Sequence, residues 1–447
     1  DHRDLHKEYR RQRQMCIRDS STFLLVKREF IYNYMIQTNS NRIWNRAIIL
    51  VDMNAFFASI EQLDFPELQG QPIGITNGWD GTTIITCSYE ARAFGIKTGM
   101  RVREAKKLCA NFIKRPSRPK RYTEISSRIM RELISFTPDV EVFSVDEAFL
   151  DITSCQKLFG NPENIAKLVK ERVRDCSDGL LCSIGLSGDK TTAKYAAKLH
   201  KPDGLTVIPP WSSREALLNV PVTDLCGIAK GIGLFLSQRG VYVCGDMKKL
   251  PIGILAKRFG NLGRRIWFMA QGLDPEPVKT EVPSPKSIGH GKVMPPNTQD
   301  INAIKVFFLH MSEKVAERLR RYHFEAGQFF VGLKTKEGWL GDKFYLDQET
   351  NDGHDIYNLC LRFLEKYWLG EGAYQVQVTA LDPKMVDQQL RLFDSSDPDR
   401  INLCHTMDLI NRRYGEFALS PARLMLRSKM PNVIAPAWKP SGHRQTI

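Results

Sequence analysis

The residues VEVFSVDEAFLDIT, 140–153, constrain the fold of this chain more than any other stretch. Val140, Val142 and Val145 alternate before a break, and Ala148, Phe149, Leu150 and Ile152 follow it. Short runs of β-branched and aromatic residues predict two strands, with Asp146 and Glu147 at their junction. On a regular strand, adjacent side chains point to opposite faces. At a turn, both carboxylates can converge on one spot. Converging carboxylates suit a hard, oxygen-seeking cation such as Mg²⁺. A solvated acidic hairpin would carry the same residues.

A second stretch adds a third acid. Residues 47–52 read AIILVD and are followed by MNAFFASIEQLD. Five apolar residues in a row are too few to span a membrane and fit a strand buried on both faces. Asp52 stands where that run stops and a helical pattern begins. In open α/β sheets, ligands bind at the carboxyl ends of strands. If Asp52 meets Asp146 and Glu147, three carboxylates form a site for two divalent metals, which suits phosphoryl transfer.

Length and charge narrow the class. The chain has 447 residues, room for three or four compact domains. Its net charge of +14 suggests a polyanionic partner, nucleic acid before a membrane surface. Ten cysteines occur with no CxxC pair, which reads as reduced thiols in a cytoplasmic protein. No apolar run approaches the length of a membrane span. Residues 1–34 look foreign to the fold: RRQRQMCIRDS resembles translated sequencing-adapter read-through, and Met35 is a plausible start.

Along the chain, 82–109 predicts a strand (Thr82–Cys87), a bend and a helix. Tyr89 and Arg92 are three apart and share a helical face. A phenol beside a guanidinium suits a polyphosphate, although an ordinary surface pair looks the same. Residues 122–136 and 163–175 read as helices, and 180–208 as strand, loop, helix, strand. Lys190, Lys194 and Lys198 repeat every four residues, either as a solvated basic face or as a phosphate-holding one. Small neighbours, Ala193, Ala196 and Ala197, let that helix pack closely.

Residues 219–242 resemble a helix-hairpin-helix, whose backbone N–H groups grip a nucleic-acid phosphate; a plain αα-hairpin is the alternative. A proline-rich stretch after residue 275 reads as a linker. Residues 287–383 then run β-α-β-β-α-β, with helices at 302–323 and 353–368 and strands at 329–335, 339–346 and 374–381, a ferredoxin-like module. Lys286, His290, Lys292, Lys334, Lys336 and Lys343 on or beside its strands suggest a basic sheet face that tracks a duplex backbone. The tail carries QLRLF, with Gln389, Leu390, Leu392 and Phe393 as anchors suited to a partner's groove.

Together, VDMNAFFASIE, CSYEARAFGIKTGM, FSVDEAFLD and GLSGDKTTAKYAAKLHKPDG resemble the Y-family DNA polymerases, the translesion group, over roughly residues 45–430. The resemblance implies a multidomain α+β and α/β right-hand polymerase. The palm would take 43–64 and 122–210, the fingers 65–121, a helix-hairpin-helix thumb 211–275, a linker 276–286 and a little finger 287–383. Residues 1–42 and 384–447 would flank them as extension and tail. It further implies that Asp52, Asp146 and Glu147, with the Met53 main-chain carbonyl, hold two Mg²⁺ ions. Phe57 would be the steric gate against a ribose 2′-hydroxyl, with Phe56 beside it. Tyr89, Arg92, Lys194 and Thr86 would hold the incoming dNTP, and Ser144 precedes the acidic pair. Primer-template DNA is the implied partner, QLRLF would bind a sliding clamp, and the protein would act as a monomer.

Two positions depart from the family pattern. Asn54 stands where many members have a second Asp. Ala229 in CGIAKG stands where glycine is commoner and would be strained if that position needs a positive φ. Two other readings are a catalytically dead DNA- and clamp-binding factor, whose signature would be lost carboxylates, and a nucleotidyl cyclase, which needs no primer-template.

Overall fold

The computed structural model describes residues 43–281, 284–386 and 398–427. QLRLF and residues 1–42 lie outside the described residues. In chain order the strands are β1 (Ile48–Met53), β2 (Ile73–Thr76), β3 (Ile84–Cys87), β4 (Ile113–Pro116), β5 (Val140–Val142), β6 (Glu147–Asp151), β7 (Cys182–Ser187), β8 (Leu205–Ile208), β9 (Ser287–Thr298), β10 (Phe324–Thr335), β11 (Trp339–Thr350), β12 (Ala373–Leu381) and β13 (Lys384–Met385). The chain divides into two units. Of the described residues, one takes 43–54, Ile129–Glu141 and Glu147–Lys279, and the other takes Ala55–Arg128, Val142–Asp146 and those from Thr280 onward.

The first unit is built on the sheet β5-β6-β1-β7-β8. All six residues of β1 are buried, as the unbroken apolar run requires. β1 runs antiparallel to both neighbours, β6 and β7, while β7 and β8 are parallel. Helix Lys190–Leu199 lies against β7, and Gly185 makes the approach possible. A Cβ there would meet the Ala193 carbonyl oxygen at 2.0 Å and the Ala197 nitrogen at 2.5 Å. Residues 213–270 form a helical body with its own core, which includes Leu217, Leu236, Met247 and Ile266.

In that body the expected pair of short helices is a 3-10 turn, Val222–Asp224, followed by helix Lys230–Ser237. The positive φ in CGIAKG falls on Gly227, at 89°. Ala229 has φ −85° and ψ 179°, so alanine sits there without strain.

The second unit holds a small sheet, β3-β2-β4, beside helix Phe56–Asp64. It also holds the four-stranded sheet β11-β10-β12-β9, with helices Ile301–Arg321 and Gly353–Tyr367 packed on it. The element order is the expected β-α-β-β-α-β. Every neighbouring pair is antiparallel, but the strand order is not ferredoxin-like: the second and fourth strands, β10 and β12, are central.

Lys292 does not belong to the solvent face of this sheet. It alternates in step with Ile288 and Met294, is 8 % exposed, and points to the helix side with them. Burial lowers its pKa from the ordinary lysine value. Helix Pro398–Tyr414 and the turn Ala422–Leu426 dock on this domain. Arg400 forks onto Asp352, Arg320 forks onto Asp408, and Leu424 is fully buried in the domain core.

Candidate functional site

Antiparallel pairing brings the carboxyl end of β1 to the amino end of β6. Asp52 stands directly opposite Glu147 in the register, and opposite Ser183 of β7 on its other side. Opposed residues of an antiparallel pair share a face and sit about 5 Å apart. Asp146 is the residue immediately before β6. Its Oδ1 accepts a hydrogen bond of 2.5 Å from the Ser144 hydroxyl, so the serine that precedes the acidic pair orients its first member.

The two opposed carboxylates each hold a lysine. Lys194 Nζ lies 2.5 Å from Glu147 Oε2, and Lys201 Nζ lies 2.5 Å from Asp52 Oδ1. Lys190, one turn before Lys194, is buried and donates to Glu141 Oε2 at 2.6 Å, with Phe149 beneath it. Burial lowers its pKa while Glu141 pulls the other way. Lys190 and Lys194 therefore do not lie on a solvated face, whereas Lys198 is exposed and donates to the Asp224 carbonyl oxygen at 3.3 Å. Among the described residues, no three His, Cys, Asp or Glu side chains gather into a metal-holding group. The donor chemistry nonetheless fits Mg²⁺, because every candidate ligand offers an oxygen.

Asn54 has a structural role. Its Nδ2 donates to the Ser183 hydroxyl at 2.9 Å, and its Oδ1 accepts from the Asp203 backbone N–H at 2.7 Å. An aspartate could accept the second bond but could not donate the first as an ionised group. Sequence reasoning missed this link and also missed Lys201, although both lie within the quoted blocks VDMNAFFASIE and GLSGDKTTAKYAAKLHKPDG.

In the second unit, Ser88 caps helix Tyr89–Ala93 by accepting from Ala91 N, and its hydroxyl also accepts from Ile73 N. On that helix the Arg92 guanidinium lies 4.6 Å above the Tyr89 ring, so the pair shares a face as expected. Thr86 is half-buried on β3, opposite Ile75. Phe56 is buried. Phe57, half-buried, stacks on Tyr122 with ring centroids 4.3 Å apart and planes at 13°.

The chain matches the impB/mucB/samB family over residues 51–198 and the C-terminal domain of that family over 285–392. The DNA polymerase IV of Moorella thermoacetica is 36 % identical over 83 % of this chain and 94 % of that protein. The DNA polymerase IV 2 of Bacillus subtilis is 29 % identical over 84 % of this chain and 93 % of that protein. A solved Y-family DNA polymerase chimera superposes with a TM-score of 0.66 at 25 % identity, over 76 % of this chain and 99 % of that one. The chain belongs to this family, the Y-family of DNA polymerases. It is accordingly a DNA-directed DNA polymerase with a mixed α/β fold of the Y-family kind.

Proposed function

We propose that this polymerase copies past damaged template bases, without proofreading, and that its reaction centre is Asp52, Asp146 and Glu147. The observation that carries the proposal is the direct opposition of Asp52 and Glu147, with Asp146 next in the chain. These carboxylates and the Met53 carbonyl would hold two Mg²⁺ ions. When bound, the ions stabilise the attacking primer oxygen and the departing pyrophosphate oxygen.

The side chains around them bind and orient. Lys194 reaches Glu147 from a rigid helix and would exchange that partner for phosphate oxygens of the dNTP. Arg92 offers a bidentate fork and Tyr89 a hydroxyl to the same triphosphate, with Thr86 beside them. Phe57 would meet the sugar edge and exclude a ribose 2′-hydroxyl, backed by Phe56. In this reading 43–64 and 122–210 are the palm, 65–121 the fingers, 211–275 the thumb and 287–383 the little finger. The separate core of residues 213–270 supports the thumb assignment. QLRLF would dock on a sliding clamp. The nine described cysteines are all free thiols, in keeping with a reducing compartment such as the cytoplasm.

Primer extension on undamaged and abasic templates with Mg²⁺ and four dNTPs tests the proposal. Asp146→Ala and Glu147→Ala should each abolish extension in a folded protein. Retained extension in either variant overturns the assignment. Wild-type arrest at the abasic site would restrict the activity to undamaged templates.

A further inference from the structure

The half-buried ring of Phe57 does not set its own plane. A phenylalanine on the first turn of a helix has several rotamers open to it, and a gate must keep one. Tyr122, on helix Pro119–Leu133, supplies a flat wall against it, with the two rings nearly parallel. Tyr122 is fully buried, and its hydroxyl donates to Glu61 Oε1 at 2.9 Å.

Glu61 sits one turn beyond Phe57 on the same helix and therefore on the same face. It is fully buried, and Arg118 Nε donates to the same oxygen at 2.7 Å. Arg115 approaches its other oxygen at 3.6 Å. Arg118 and Arg121 both continue to Asp64, and Arg115 and Arg118 cover the Phe65 ring from 4.3 and 4.8 Å. The gate helix and the Tyr122 helix are thus joined by a hydrogen-bonded charge network, and the tyrosine ring is fixed at both ends of its reach: by Glu61 at the hydroxyl and by Phe57 at its face.

We infer that Tyr122 is a positioning residue for sugar selection: held by Glu61 and Arg118, it fixes the Phe57 ring in the plane that discriminates dNTP from rNTP. This rests on Phe57 being the gate, so the experiment separates the two claims. The ratio of kcat/KM for dNTP over rNTP is measured for wild type, Phe57→Ala, Tyr122→Phe, Tyr122→Leu and the Phe57→Ala/Tyr122→Leu double variant. Phe57→Ala should collapse the ratio. Tyr122→Phe keeps the wall but releases its hydroxyl anchor on Glu61, and should lower the ratio by less than Tyr122→Leu does. Tyr122→Leu removes the wall and should lower it about three- to tenfold, the factor an aromatic pair contributes. In the double variant, Tyr122→Leu should add nothing further, since both changes act on one ring.

A purely structural role for Tyr122 would weaken both substrates alike and leave the ratio unchanged. An unchanged ratio in folded Tyr122→Leu, beside a collapsed one in Phe57→Ala, overturns the inference and leaves the gate standing. An unchanged ratio in Phe57→Ala overturns the gate itself. If Tyr122→Leu does not fold, Tyr122→Met fills the volume without a flat face and carries the same expectation.

Discussion

Gly185→Ala adds one methyl group and should disable the enzyme without unfolding it. The added Cβ would stand 2.0 Å from the Ala193 carbonyl oxygen and 2.5 Å from the Ala197 nitrogen. Both are backbone atoms of helix Lys190–Leu199, so no rotamer change relieves the clash. Ordinary contact begins near 3.4 Å, so the helix must retreat from β7 by roughly 1.4 Å. That helix carries Lys194 to Glu147 and Lys190 to Glu141, at 2.5 and 2.6 Å. A shift of that size draws both lysine stems away from their carboxylates. Overpacking of this kind costs about 1–3 kcal/mol, which a domain of this size survives. A misplacement of about 1 Å at a reaction centre can cost about 100-fold in rate. Single-turnover primer extension should therefore fall about 100-fold, while thermal melting moves by only a few degrees. Gly253→Ala is the control: nothing lies within 4 Å of its Cβ and it sits in a helix, so alanine should stabilise by about 0.5–1 kcal/mol. Wild-type rate and melting in Gly185→Ala would refute the claim that close packing of this helix sets the position of Lys194.

Lys201→Met leaves the Asp52 carboxylate without the lysine that lies 2.5 Å away, so melting in EDTA should drop and the rise on adding Mg²⁺ should exceed that of wild type; equal rises would refute the pairing. Asp408→Ala strips the carboxylate from largely buried Arg320 and should cost about 3–5 kcal/mol in urea unfolding; a loss under about 1 kcal/mol would show that the docked C-terminal helix contributes little. Burial holds the Asp189 carboxyl at about 6, above its ordinary 3.8, so its ionised form destabilises the fold: the penalty is absent below the ordinary value, grows as pH rises between the two, and is complete above about 6. Asp189→Asn can keep the bond from Thr192 N that caps the helix, so the gap in stability between variant and wild type should widen from pH 4 to pH 7; parallel curves would refute it.

Much of the proposed reaction centre's backbone was legible because strands announce themselves by residue type. VEVFSVDEAFLDIT gave β5 and β6 with the break where the acids stand, and AIILVD gave a fully buried β1. What stayed hidden depends on which face is covered. The alternation of β9 was readable, but nothing in it says that the face carrying Lys292 is the one against the helices. β10 begins at Phe324, five residues before its expected start, because a bulge between Ala326 and Gln328 breaks the alternation that marks a strand. The strand order of that sheet was likewise beyond the pattern, since β-α-β-β-α-β fixes which elements occur and not which strands meet. Tyr122 read as one more residue of an amphipathic helix; its stack on Phe57 joins positions 65 residues apart.

One short segment answers the electrostatic problem that the register creates. Carboxylates directly opposite each other on neighbouring strands repel, and Asp52 and Glu147 are so placed. Residues 190–203 return three groups to that end of the sheet: Lys194 to Glu147, Lys201 to Asp52, and the Asp203 backbone N–H to Asn54, the second residue after Asp52. The first cation comes from a helix seated against Gly185, and the second from the turn that follows it. A lysine ammonium is a compact, mobile charge on a flexible stem, unlike a guanidinium fork. It can therefore neutralise a carboxylate and release it to another cation with little rearrangement of the backbone. In the second unit the ion pairs at Glu61, Asp352 and Asp408 use arginine and the one at Glu416 uses Lys314, whereas the two opposed acids are both matched by lysine.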